Sequence, residues 1–163
     1  MFTLSITSHK EASDELLHKV ICIKSAAWPY PEVSQLIWIN DNMKPDDLHC
    51  ILFENYKPIG YLNLINEKLN NDSEDSIPIW GIGNVCVVEK GKGYGGILLV
   101  KVNEYIIQTN RIGLLFCRDK LVGFYKKYGW KLNHTLMSLQ NGIHIMTFNF
   151  VENIDYKYTG AYF

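Results

Sequence analysis

Four glycines lie within six residues of the stretch EKGKGYGGILL, directly before an apolar run; they are Gly91, Gly93, Gly95 and Gly96. Glycine is used where a backbone must turn sharply or come close to a ligand. A strand-like segment, IWGIGNVCVV, precedes this turn, and the amphipathic segment GGILLVKVNEYIIQTN follows it. A helix that begins there offers unpaired N–H groups and a positive dipole end to an anion. The spacing therefore predicts either an anion-binding turn or a plain tight turn.

The turn differs from two common phosphate-binding motifs. It lacks the GK[ST] ending of the nucleotide P-loop. A dinucleotide fingerprint needs G-x-G-x-x-G and an acidic residue on the next strand, whereas the next strand here, GLLFC, leads into Arg118. Lys90 and Lys92 place positive charge beside the turn. The residues alone leave the ligand open.

The first half of the chain alternates between strand and helix patterns. FTLSITS predicts a strand, and SDELLHKVICIKSAAW predicts a helix with Ser13 as its N-cap. EVSQLIWIND predicts a second, short helix, and LHCILFENYKPIGYLNLI predicts a hairpin around ENYKP. NEKLNNDSEDSIP is polar and acidic, which predicts a loop.

The second half completes the pattern of an α+β fold. DKLVGFYKKYGW predicts a helix with Asp119 as N-cap and Gly129 past its end, and Asn141-Gly142 predicts a hairpin turn. The order of elements predicts a central mixed sheet with helices on both faces. We found no linker or repeat in the sequence, so we expect a single domain over residues 1–163.

Composition narrows the classes of function. The net charge is −1, so nucleic acid is not an expected partner. No apolar run approaches the roughly 20 residues of a membrane span, and the first residues do not resemble a secretory signal. The four cysteines are scattered without CxxC spacing, which argues against a metal site or a disulfide framework. We therefore expect a cytoplasmic protein that acts without a metal or a membrane.

Two motifs at the right separation resemble the acetyl-CoA-binding core of the GNAT superfamily of N-acetyltransferases. The turn of that family reads R/Q-x-x-G-x-G/A, and here Lys90, Gly93 and Gly95 stand at its three defined positions. A later motif, an aromatic-Tyr pair followed by charged residues and Gly-aromatic, is matched by FYKKYGW, at Phe124, Tyr125, Gly129 and Trp130. The resemblance covers residues 79–132 and implies an α+β fold, an α/β sandwich whose central mixed sheet is mostly antiparallel with helices on both faces. Lys90 departs from the family pattern, because it replaces the usual Arg or Gln.

The resemblance implies a place for acetyl-CoA as the co-substrate. The N–H groups of the turn would hold the pyrophosphate of the coenzyme; the turn residues are Lys90, Gly91, Lys92, Gly93, Tyr94, Gly95 and Gly96. The backbone of Val85, Cys86 and Val87 would pair with the pantetheine arm and polarise the thioester carbonyl. Tyr125 would act as the general acid that protonates the leaving thiolate.

The resemblance also implies an amine acceptor, which would attack the thioester directly in a ternary complex. Trp28 and Tyr30, together with Trp38, lie in the region that forms one wall of the acceptor site in the family, and Asn84 is the remaining candidate for binding the acceptor. The acceptor would be a primary amine of a small molecule or a peptide. An acidic stretch would favour an aminoglycoside or a polyamine; its residues are Glu67, Asp72, Glu74 and Asp75.

The general base is left open by the sequence. The strand before the turn carries no acid or histidine, and four substitutes lie elsewhere: Glu32, Asp46, Asp47 and His49. A water-mediated base or an acceptor that binds already neutral would also serve. The lack of an acid on that strand keeps an alternative in view, a non-catalytic acyl-CoA-binding sensor or partner module of the same fold. We expect a monomer or a homodimer.

Overall fold

The secondary structure follows the predicted order. A computed structural model describes residues 1–73, 75–137, 142–151 and 155–163. Its elements in chain order are β1 Phe2–Ser8, a 3₁₀ turn His9–Glu11, α1 Asp14–Ala27, α2 Glu32–Asn42, β2 Leu48–Glu54, β3 Lys57–Asn70, β4 Ser76–Val87, α3 Tyr94–Gln108, β5 Ile112–Arg118, α4 Asp119–Lys126, β6 Lys131–Asn133 and β7 Ile143–Phe148. In the described residues, no helix is long and apolar enough to cross a membrane.

The strands form one sheet in the order β1-β2-β3-β4-β5-β7-β6. The pairs β1–β2, β2–β3, β5–β7 and β6–β7 are antiparallel. The pair β4–β5 is parallel, and its register covers four residue pairs, from Ile79–Ile112 to Ile82–Leu115. The prediction of a mixed, mostly antiparallel sheet in an α+β fold is confirmed.

Residues Met1–Ile65 and Asn84–Val102 form a first compact unit. Ser13 caps α1 as predicted, because its Oγ accepts a hydrogen bond from the Leu16 amide at 3.2 Å. The apolar face of α1 then packs into one core with residues of α2, β2, β3 and β4. The fully buried members of that core include Val20, Ile39 and Tyr61.

Residues Asn66–Gly83 and Asn103–Phe163 form a second compact unit. Its largest fully buried side chain is Trp130, whose Nε1 donates to Asn103 Oδ1 at 3.1 Å. Asn103 Nδ2 in turn donates to the Tyr128 carbonyl at 2.9 Å, so the turn after α4 is fixed to α3. The Trp130 ring lies against Gly113, where an added Cβ would stand 2.7 Å from a ring carbon. The Gly-aromatic part of the later motif therefore has a packing role.

Two sequence predictions are wrong in detail. NEKLN continues β3 as far as Asn70 instead of forming a loop, because Leu69 is fully buried and Asn70 exchanges two backbone hydrogen bonds with Lys157. Asp119 is the first residue of α4 and not its N-cap; Arg118 holds that position, and the Asp119 carboxylate contacts His144 Nε2. Glu74 and Asn141, which the sequence assigns to an acidic loop and a hairpin turn, lie outside the described residues.

Substituting Gly113 tests the packing of Trp130. We expect Gly113→Ala to lower the free energy of unfolding by about 1–3 kcal/mol, because the new methyl group overlaps the ring. Gly123→Ala is the matched control: an added Cβ meets nothing within 4 Å in α4, so it should raise the free energy of unfolding by about 0.5–1 kcal/mol. Urea unfolding measures both, and equal stability of the two variants would contradict this packing.

His49 is the centre of a buried polar chain in the first unit. Its ring nitrogens lie 3.1 Å from His9 Nδ1 and 2.9 Å from the Tyr61 hydroxyl, and the side chain is fully buried. Burial lowers the pKa of His49 from its ordinary 6.5 to about 4, and His9 and Lys24 add to this effect. The folded protein therefore holds His49 neutral.

This pKa predicts a pH dependence of stability. Because the folded pKa is below the unfolded one, the contribution is complete above pH 6.5 and is lost as the pH falls towards 4. The loss is on the order of 3 kcal/mol. We expect His49→Gln to flatten the fall in the free energy of unfolding over this range. His134→Gln is the control, because this histidine is exposed and forms no ion pair with a described residue. Urea unfolding at a series of pH values measures the free energy of unfolding. If it falls with pH equally in wild type and in His49→Gln, the lowered pKa of His49 is not the cause.

Candidate functional site

The glycine turn joins the end of β4 at Val87 to the start of α3 at Tyr94. Gly91 and Gly93 have φ angles of 83° and 78°, in the left-handed region that other residues rarely adopt. An added Cβ would meet nothing within 4 Å at either position. The glycines are therefore required by the backbone conformation and not by crowding.

This conformation leaves a run of amide groups without protein partners. The amides of Gly96 and Ile97 donate to the Gly93 carbonyl, at 3.0 and 3.2 Å. Within the described chain, no amide from Lys90 to Gly95 donates to a protein acceptor. Lys90 and Lys92 are both exposed. The turn thus combines six free N–H donors, a helix N-terminus and two cations, which suits an anion.

The Tyr94 side chain is fixed by the end of β2. Its hydroxyl donates to Glu54 Oε2 at 2.9 Å, and this bond raises the pKa of the phenol. The ring also meets Phe2 edge to face, with 6.3 Å between centroids. These contacts fix the residue with which α3 begins, so they fix where the free amides of the turn are presented.

Strand β4 changes conformation at Asn84. Its φ is 53°, a left-handed angle inside a strand, where asparagine is tolerated better than most residues. Its Nδ2 donates to Asn63 Oδ1 at 3.1 Å. Beyond it, Cys86 is buried, and burial raises the pKa of its thiol to about 12 despite Lys24. Val85 and Val87 are half-buried on either side.

A cavity of about 470 Å³ lies in the first unit, next to Asn84. Trp28, Tyr30 and Asn84, the three predicted acceptor-binding residues, all line it. The remaining lining residues are Lys24, Ser34, Gln35 and Trp38. The Lys24 ammonium lies 4.3 Å from the centre of the Trp38 ring. The walls therefore combine three aromatic rings with four polar side chains.

None of the four candidate bases is among the described residues that line this cavity. Asp46 pairs with Lys10 at 2.7 Å, and Glu32 pairs with His18 at 2.9 Å. Asp47 is buried and accepts a hydrogen bond from the Lys44 amide at 2.7 Å, and His49 lies in the polar chain described above. Each of them has a structural partner.

Tyr125, the predicted general acid, lies in α4 of the second unit and is largely buried. Its ring packs edge to face on Phe124 and Trp130, at 5.2 and 6.4 Å between centroids. No described residue accepts a hydrogen bond from its hydroxyl. Burial, with a smaller effect from Cys117, raises its pKa to about 12, so the phenol keeps its proton at neutral pH.

Comparison with known proteins shows the fold. The sequence matches no protein-family model and no curated protein. The structure matches Escherichia coli ElaA with a TM-score of 0.64 and 19% identity, over 90% of this chain and 99% of ElaA. It matches an acyl-CoA N-acyltransferase from Pseudomonas aeruginosa with a TM-score of 0.63 and 16% identity, over 90% and 99%. The catalytic domain of the Tetrahymena GCN5 histone acetyltransferase, in complex with coenzyme A, matches with a TM-score of 0.60 and 15% identity, over 93% and 96%.

The chain has the GNAT fold. Within this fold, the first unit holds every predicted coenzyme-binding residue, from Val85 to Gly96, and the three predicted acceptor-binding residues. Tyr125 belongs to the second unit. The roles of these residues stay predictions, because a likeness in fold does not assign them.

Three cavity residues were missed by the sequence analysis: Lys24, Ser34 and Gln35. Lys24 lies on the buried face of α1, one turn after Val20, and Gln35 lies one turn before Ile39 on the buried face of α2. A polar residue at an apolar position of a helix was the available signal, since such residues are rarely buried without a reason. Ser34 is exposed and gave no signal.

The left-handed glycines of the turn can be tested without a ligand. We expect Gly93→Ala to lower the free energy of unfolding by about 1–2 kcal/mol, because alanine is strained at this φ even though space is open. Gly123→Ala, which adds the same methyl group to open space in α4, should not lower it. Urea unfolding compares the two variants. A fully stable Gly93→Ala protein would mean that the turn adopts another conformation.

Proposed function

We propose that the chain is an N-acetyltransferase that moves an acetyl group from acetyl-CoA to a primary amine of a small molecule or a peptide. The observation that carries this proposal is the run of six unpaired amides at the start of α3, in a chain with the GNAT fold. The two phosphates of the coenzyme would accept hydrogen bonds from these amides. Lys90 supplies charge there, but not the two-pronged contact of arginine.

The end of β4 suits the pantetheine arm. The arm carries two amide groups and can pair with a strand backbone as an added strand would. Val85, Cys86 and Val87 would offer their N–H and carbonyl groups to it. An N–H at this place would also polarise the thioester carbonyl and stabilise the negative oxygen that forms when the amine attacks.

Tyr125 would assist the departure of the coenzyme thiolate. Its pKa of about 12 lies above the roughly 8.5 of an ordinary thiol, so complete proton transfer to sulfur is uphill. The hydroxyl therefore acts first as a hydrogen-bond donor that stabilises charge growing on the sulfur. The proton that the attacking nitrogen must lose then balances the reaction, which yields an amide and a free thiol.

The acceptor amine needs no side-chain base in this proposal. The described residues that line the cavity include no carboxylate or histidine. The amine would lose its proton to water, or enter the cavity in its neutral form and attack directly.

The test combines binding and turnover. Calorimetry with acetyl-CoA, followed by thiol release against a panel of amines, should show binding and then release with at least one amine. Failure to bind acetyl-CoA would overturn the proposal. Binding without release on any amine would favour the alternative, a non-catalytic acyl-CoA-binding module.

Tyr125→Phe further separates an N-acetyltransferase from a non-catalytic acyl-CoA-binding module. We expect kcat to fall by about 10²-fold or more, because the hydrogen bond to the leaving sulfur is lost, while the affinity for acetyl-CoA is unchanged. Tyr128→Phe removes a hydroxyl from a neighbouring ring, 5.3 Å from Phe124 between centroids, and is the matched control. Steady-state kinetics of thiol release measures both. Equal turnover in wild type and Tyr125→Phe would remove Tyr125 from the mechanism.

A further inference from the structure

The cavity of the first unit contains a buried cation that no described carboxylate neutralises. Lys24 is 5% exposed, lines the cavity and forms no ion pair with a described residue. The Lys24 ammonium makes a cation–π contact with Trp38, 4.3 Å from the centre of the ring. Burial has the largest effect on the pKa of the Lys24 ammonium and lowers it. A buried ammonium in this state favours an anion from outside the protein.

Two residues that line the same cavity, Gln35 and Asn84, each carry a side-chain carbonyl oxygen without a partner among the described residues. Gln35 is 4% exposed, and its Nε2 donates to Ser25 Oγ and to the carbonyls of Trp28 and Tyr30. Its Oε1 is the one buried side-chain nitrogen or oxygen atom in the described chain without a hydrogen bond. Asn84 donates to Asn63 through Nδ2, and its Oδ1 accepts from no described residue. Both oxygens can only accept hydrogen bonds, so they suit the N–H groups of an amine.

The charges and hydrogen-bonding groups together define one kind of ligand. We propose that the acceptor is a small molecule that carries a carboxylate as well as its primary amine, with Lys24 binding the carboxylate and Gln35 and Asn84 receiving the amine. This inference rests on the proposed acetyl transfer and names its substrate class. The cavity volume of about 470 Å³ lies in the usual range for small-molecule sites. The rings of Trp28, Tyr30 and Trp38 provide apolar surface for the rest of the molecule.

An acceptor with a carboxylate differs from the polyamine or aminoglycoside that the acidic stretch of the sequence suggested. A polyamine or an aminoglycoside carries several positive charges and no carboxylate, so it would meet Lys24 with like charge. A carboxylate gains an ion pair with a cation that is already out of water, and such pairs are stronger than exposed ones. Within this cavity, the charge therefore favours an amino acid over a polycation.

The experiment compares each of the standard amino acids, except proline and cysteine, with its own α-amide, which keeps the shape and removes the negative charge of the α-carboxylate. Spermidine and kanamycin complete the panel. Thiol release gives kcat/KM, and quenching of tryptophan fluorescence, in the absence of acetyl-CoA, gives binding at the cavity that Trp28 and Trp38 line. We expect at least one amino acid to exceed its amide in kcat/KM and in affinity by about tenfold or more.

Lys24→Met tests the residue that carries the inference. This substitution nearly keeps the length of the side chain and removes its charge. We expect the kcat/KM for the amino acid, divided by the kcat/KM for its amide, to fall to near one. Lys24→Arg keeps the positive charge, so it should keep part of the wild-type preference for the amino acid over its amide. Lys19→Met, on the exposed face of the same helix where Lys19 pairs with Glu15 at 2.6 Å, is the control and should keep the wild-type ratio.

The outcomes separate this inference from the proposed function. Acetyl-CoA binding, together with no thiol release and no quenching for any amino acid, overturns the inference alone. The inference is also overturned if a polyamine or an aminoglycoside is the best acceptor. The same holds if Lys24→Met lowers kcat/KM for the amino acid and for its amide by the same factor. Failure of acetyl-CoA to bind overturns acetyl transfer, whereas quenching by an amino acid that depends on Lys24 would still support the carboxylate site.

Discussion

The left-handed backbone of Asn84 is the constraint on which the site of the first unit depends. A strand that continued regularly would keep its alternation through Val85, Cys86 and Val87. The positive φ of Asn84 interrupts that alternation, one residue after Gly83 and two after the last residue pair between β4 and β5. The same residue lines the cavity and is held by Asn63. One backbone angle therefore decides which groups β4 presents on its way to the glycine turn.

The helices α1 and α2 serve the core and the cavity with the same faces. Val20, Ile23 and Ile39 are buried in the core of the first unit. Lys24 follows Ile23 and Gln35 lies one turn before Ile39, and both line the cavity. Gln35 joins the two tasks, because its amide nitrogen holds the carbonyls of Trp28 and Tyr30. The segment between the helices is thus held in shape by a residue that also presents a free oxygen.

The sequence predicted features that short motifs determine, and it missed features that depend on tertiary packing. The glycine turn, the Ser13 cap and the position of Tyr125 in a helix follow from local spacing, so they could be read directly. The extension of β3 through NEKLN could not, because it depends on the burial of Leu69 and on pairing with Lys157, far along the chain. Asp119 looked like a cap because aspartate favours that place, but its contact with His144 comes from a distant strand. Lys24 and Gln35 were hidden for a similar reason, since only the folded chain shows that their buried face borders a cavity.

A positive charge on Lys24 has a consequence for the ionisation state of an amine that enters the cavity. A second positive charge in the same small, partly apolar space is opposed by Coulomb repulsion that water screens only weakly there. For an amine that carries no carboxylate to pair with Lys24, this repulsion makes the ammonium form a stronger acid than it is in solution. An acceptor with a carboxylate would cancel most of this effect through its ion pair with Lys24, so its amine would enter the cavity at a smaller electrostatic cost than an amine without one.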